Sequence, residues 1–177
     1  ETRVNHPVVH ANPADLRGVI PNLVYQKGAW VLHMLRVQLG DGVFRTGIRE
    51  YSKRYRDANA SSDDLQRVME EVSGQSLGWF FEQWLHRTIS PAIAGTWSWD
   101  DVRKVVVIEL RQTQAGAPYR LSLDVGIVPD SIGAATTVST MPFAGASTRI
   151  EIPSARAPRD VVLDPRTRLL MTPPAFT

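Results

Sequence analysis

Near Pro91 the spacing of apolar residues changes from about 3.6 to about 2, so the chain has to fold as a helical half followed by a strand half. Before that point Val24, Gly28, Val31, Leu32, Leu35 and Leu39 share one face of a helix that Gly40 ends. Phe44, Ile48, Tyr51 and Tyr55 recur at i, i+4, i+7 and i+11 and predict a second helix whose Arg45, Arg49 and Lys53 face water. Ser61-Ser62-Asp63-Asp64 has the form of a capping box; it opens a third helix that buries Leu65, Val68, Met69 and Val72 and stops at Gly74. Ser76 is expected to cap a fourth helix of about three turns, in which Leu77, Phe80, Phe81, Trp84 and Leu85 anchor the layer.

Beyond Pro91 the pattern is that of strands. Leu121, Leu123, Val125 and Ile127 alternate with Arg120, Ser122, Asp124 and Gly126, which predicts one buried and one solvated face. Residues 102–112 form a longer strand candidate with Val106, Ile108 and Leu110 on one side. Shorter candidates lie near 94–99, 136–141, 148–152, 159–163 and 168–171, separated by Gly, Pro, Ser and Asp. About seven strands in so short a stretch predict a β-sandwich. The expected fold class is α+β by segregated halves, with residues 1–92 helical and residues 93–177 a β-sandwich domain.

A length of 177 residues with 43% hydrophobic content is enough to bury a core. No run reaches the eighteen or so apolar residues of a membrane-spanning helix. A formal net charge of +2 is too small an excess to imply nucleic acid. Zero cysteines exclude disulfides and any thiolate metal site.

The segment Tyr25-Gln26-Lys27-Gly28-Ala29, with Trp30 to Arg36 after it, resembles the Tyr-x-Lys-Gly-Ala helix of the aminopeptidase N family of zinc metallopeptidases. Further blocks follow in the family's order. They are Gly40-Asp41-Gly42-Val43-Phe44, Ile48-Arg49-Glu50-Tyr51, Asp63-Asp64-Leu65, Met69-Glu70-Glu71-Val72-Ser73-Gly74 and Trp79-Phe80-Phe81-Glu82-Gln83-Trp84-Leu85, which look like bacterial members. Gly95-Thr96-Trp97, Leu110-Arg111-Gln112-Thr113-Gln114 and Leu163-Asp164-Pro165 look like the small sandwich that follows the catalytic domain in that family. By this resemblance residues 1–92 are the helical end of a thermolysin-like peptidase domain.

The resemblance implies that Tyr25 is catalytic, donating a hydrogen bond to the oxyanion formed during peptide hydrolysis. It also implies zinc in the intact parent, held by a His-Glu-x-x-His helix and a third carboxylate; no His-Glu-x-x-His occurs in this chain. The expectation is therefore a C-terminal fragment of a zinc aminopeptidase-like protein, binding no zinc and inactive alone. Its implied partners are the N-terminal zinc-binding part of the same polypeptide and peptide substrates, with neither nucleic acid nor a membrane span. The alternative is a non-catalytic interaction module of the same descent. Either way, apolar surface on the helices would be left uncovered and would drive self-association, or the first two dozen residues would fold over it.

Position alone would make Tyr25 a structural residue, about 80° round the helix from the centre of the apolar stripe, with its ring flanking the core. The motif around it reverses that reading. A phenol suits the role because it donates a single directional bond. Gly28, on the buried face, would let a neighbouring helix approach closely. Among His6, His10, His33 and His86, only the first two have the i, i+4 spacing of helical metal ligands, and Pro7 and Pro13 oppose a helix there. The Arg45, Arg49, Lys53, Arg54 and Arg56 cluster reads as a solvated helix face, and Asp63-Asp64 and Glu70-Glu71 as helix surface charge.

Overall fold

The computed structural model describes residues 7–9, 22–131 and 133–177. They form two compact units divided between Ile89 and Ser90. Helices fill the first and two largely antiparallel sheets the second, so the chain is α+β by segregated halves, as the change of period predicts.

In the helical unit, α1 spans Asn22–Leu39 and α2 spans Asp41–Arg54. Gly40 makes the break between them: its φ of 79° lies in the region that favours glycine, and its amide still bonds Arg36 O at 2.9 Å. Arg36 then grips Asp41 with two bonds of 2.7 Å. A cation in the last turn of α1 and an anion in the first turn of α2 each complement a helix dipole, so this exposed pair fixes the turn more than it adds stability.

Helix α3, Ser62–Ser73, begins as the sequence predicts. Ser61 Oγ accepts from Asp64 N at 3.2 Å, and the Asp64 carboxylate accepts from Ser61 N at 2.9 Å. It ends at Gly74, with φ 66°. Val68 and Met69 are fully buried, and α2 packs on α3 where Gly47 leaves room for Met69. A Cβ at Gly47 would collide with Met69 Sδ, whereas one at Gly28 would meet nothing within 4 Å. The close-approach glycine is therefore Gly47, and the role expected for Gly28 is corrected.

The fourth helix differs from expectation in start and winding. Leu77, not Ser76, is its N-cap, and no side chain caps it. Only Gly78–Phe81 (α4) is α-helical; Glu82–His86 continues as a π-helical turn. The wider turn lets Gln83, Trp84 and Leu85, three successive residues, all be buried beside Phe80 and Phe81. Its end is satisfied from elsewhere in the unit: Leu85 O accepts from Val8 N at 2.8 Å and Val9 N at 3.2 Å.

The second unit has seven strands: β1 Ile93–Asp100, β2 Val105–Gln112, β3 Leu121–Pro129, β4 Thr137–Phe143, β5 Ser147–Pro153, β6 Pro158–Leu163 and β7 Ala175–Phe176. One sheet has the order β5-β2-β1-β7, the other β4-β3-β6. The alternating residues Val106, Ile108, Leu110, Leu123, Val125, Ile150, Ile152, Val161 and Leu163 make the core. Full burial of each such side chain contributes roughly 1.5–3 kcal/mol. Gly95 is required where β1 meets β2, because a Cβ there would strike Glu109 O. Pro142 is confined to β4, an edge strand, where a missing N–H does not break the sheet.

Two expectations for the strands are corrected. The stretch 168–171 is not a strand, because Asp164 holds it in a turn: its carboxylate accepts from Arg168 N at 2.8 Å and Leu169 N at 2.9 Å. The polar face of β3 is solvated at Arg120 and Ser122 but not at its two later positions. Asp124 is 1% exposed and Gly126 is buried, the latter under Pro165 and Thr136. Arg166 Nε reaches Asp124 at 2.6 Å and Thr140 Oγ1 donates to it at 2.5 Å. Burial pushes the Asp124 carboxyl up, but Arg166, Thr140 and Arg168 outweigh it and leave the group below the ordinary carboxylate range.

Candidate functional site

Helix α1 has a buried and an exposed side, and they carry Lys27 and Tyr25 of the Tyr25-to-Ala29 motif in opposite directions. Tyr25 is 72% exposed in the first turn. Ala29, Leu32 and Arg36 follow at i+4, i+7 and i+11, and all are exposed. The ring of Tyr25 thus stands clear of the core instead of flanking it. Leu32, expected inside, is 39% exposed.

The buried side is Lys27, Val31, Met34 and Leu35. Lys27 donates from Nζ to Arg87 O at 2.8 Å, at the residue that closes the π-helical turn. Burial lowers its pKa below that of an ordinary lysine. Its spacing to Val31, Met34 and Leu35 is i+4, i+7 and i+8, a signal that places it on the apolar stripe. Sequence reading passed over it because lysine is rarely interior.

The remaining charged candidates behave as surface. Arg45, Arg49, Lys53, Arg54 and Arg56 are exposed, and Arg54 joins Glu50 at 2.8 Å and Glu71 at 2.6 Å. Asp64, held by Ser61 N, the Ser61 hydroxyl and Tyr55 Oη, has its pKa lowered to about 2. His33 is exposed with its ring edge-on to Trp30, and His86 is exposed at the end of the π-helical turn. His6, His10 and Pro13 lie outside the described residues. Among the described residues no group of three His, Cys, Asp or Glu side chains could hold a metal ion.

A family model described as the peptidase family M1 domain matches residues 1–84, which contain Tyr25 and helices α1 to α3 whole. These residues belong to peptidase family M1. The similarity to M1 aminopeptidases runs further along the chain. Aminopeptidase M1-D of Oryza sativa subsp. japonica is 30% identical over 132 residues, 73% of this chain and 14% of that protein. Aminopeptidase N of Lactococcus lactis subsp. lactis is 33% identical over 72 residues, 41% of this chain and 8% of that protein. The chain thus spans a small fraction of the length of these M1 relatives. In fold it matches the aminopeptidase A of Legionella pneumophila, solved in complex with aspartic acid. That match has a TM-score of 0.80 at 13% identity and covers 93% of this chain and 19% of the other.

Proposed function

We propose that this chain is part of a larger zinc aminopeptidase and that it contributes Tyr25 as a hydrogen-bond donor to the oxyanion formed when a peptide bond is attacked. The observation that carries the reading is the exposure of Tyr25, at 72%, on the first turn of α1 within the M1-matched residues. A core tyrosine would be covered; this one is presented. A directional O–H donor aimed at developing charge is worth far more in the transition state than in the ground state, which is how such groups accelerate acyl transfer.

On this reading residues 1–92 are the helical end of a thermolysin-like peptidase domain and residues 93–177 a sandwich domain. The sequence holds no His-Glu-x-x-His, so on this reading the zinc ligands would come from elsewhere in the polypeptide, and the chain by itself would hydrolyse nothing. Peptides with a free N-terminus are the proposed substrates of the whole. The test is Tyr25→Phe in the full-length polypeptide: a loss in kcat of about 10²-fold, with KM and folding little changed, supports the role. Turnover near that of the unmodified protein would return Tyr25 to the surface.

A further inference from the structure

The placement of Lys27 suggests how the Tyr25 hydroxyl is aimed. A helix leaves its first N–H groups without intrahelical partners, so its first turn is where it frays. Tyr25 lies in that turn of α1. Two residues further on, about 200° round the helix and about 3 Å along it, Lys27 points inward where Tyr25 points out.

Lys27 is 7% exposed and its Nζ donates to Arg87 O, 60 residues away, at 2.8 Å. That carbonyl belongs to the residue after the π-helical turn, where a helix end presents negative charge to a cation. A methionine of similar reach would fill the same space. The carbon stem alone, however, gives no direction. A hydrogen bond fixes both the distance from α1 to the π-helical turn and the rotation of α1 about its own axis.

We propose that Lys27 is a positioning residue for Tyr25: its bond to the Arg87 carbonyl sets the rotation of the first turns of α1 and so the point to which the Tyr25 hydroxyl is delivered. This rests on the oxyanion role of Tyr25 proposed above. Misplacement of a reacting group by about 1 Å can cost about 10²-fold in rate, so a partial loss of alignment is enough to be measured.

The experiment is a double-mutant cycle in the full-length polypeptide with Lys27→Met and Tyr25→Phe, reading kcat and KM per folded molecule. Lys27→Met alone is expected to lower kcat by about 10-fold with KM nearly unchanged, and to lower it less than about 2-fold once Tyr25 is phenylalanine. Lys27→Arg, which keeps a donor, should recover most of the rate. Should Lys27→Met fail to fold, Lys27→Gln, a shorter donor, takes its place in the cycle with the same expectation. An unchanged kcat in the lysine variant, or an equal loss in both backgrounds, overturns the positioning role while leaving that of Tyr25 intact. Near-normal kcat for Tyr25→Phe alone overturns the oxyanion reading, and the positioning role with it.

Discussion

Lys27 in the helical unit and Asp124 in the sandwich unit are both buried charges, and they are stabilised in different ways. Asp124 has cations for partners, Arg166 at 2.6 Å and Arg168 at 3.6 Å, and its pKa falls despite burial. Lys27 donates to a main-chain carbonyl, among its interactions, and its pKa falls because of burial. For an acid a lowered pKa means the folded state welcomes the charge; for a base it means the folded state resists it. The sandwich charge therefore contributes to stability, whereas the helical one is retained at a cost.

The contrast breaks first on activity. Tyr25→Phe should lower kcat of the full-length polypeptide by about 10²-fold, roughly 3 kcal/mol of transition-state stabilisation, and leave the denaturation midpoint where it is. In the sandwich, Arg166→Met should do the reverse, lowering the urea midpoint because it takes a cation from a buried carboxylate and leaves it to Arg168 and Thr140. Lys27→Met removes a buried charge with its penalty, so its midpoint should stay within about 1 kcal/mol of the unmodified protein or rise. A large fall in stability for Lys27→Met would place the two charges in one class.

Both pH dependences should make the fold more stable as pH rises, in separate windows, one acidic and one alkaline, and hydrogen exchange can follow each unit separately. The Asp124 contribution is present above the unfolded carboxylate value near 4 and is lost as pH falls through its lower folded value. Lys27 binds its proton less well in the folded state, so its penalty is full at neutral pH and is relieved as pH climbs toward about 10. The smallest effect is at the exposed capping box. With Asp64 held at about 2, its contribution to α3 should fade between about pH 4 and pH 2. Ser61→Ala should cost about 1 kcal/mol, seen as faster exchange in the first turn of that helix.

What was legible in the sequence was whatever depends on neighbours along the chain. The two periods, the Ser61 and Asp64 cap and the Gly74 stop are local patterns, and each appears where the spacing puts it. The buried charges were not legible, because each is explained by a distant partner. Arg166 lies 42 residues beyond Asp124, and Arg87 O, a main-chain atom, leaves no mark in composition. The same holds for the glycines: Gly28 and Gly47 look alike in sequence, and only the arrival of Met69 distinguishes them. At the candidate site the motif pointed to Tyr25, but the azimuth argument set its ring against a core that the exposure shows it does not touch.

The π-helical turn at Glu82–His86 makes residue count itself a structural variable. Because the turn holds one residue more than an α-helical turn would, deleting a single codon there need not unravel the segment; it can rewind it as α-helix. The residues that close the turn would then rotate by about 100°, carrying the Arg87 carbonyl away from Lys27. Scanning by substitution leaves that phase untouched at every position. The geometry is encoded as length, and mutational surveys that only exchange residues will not register it.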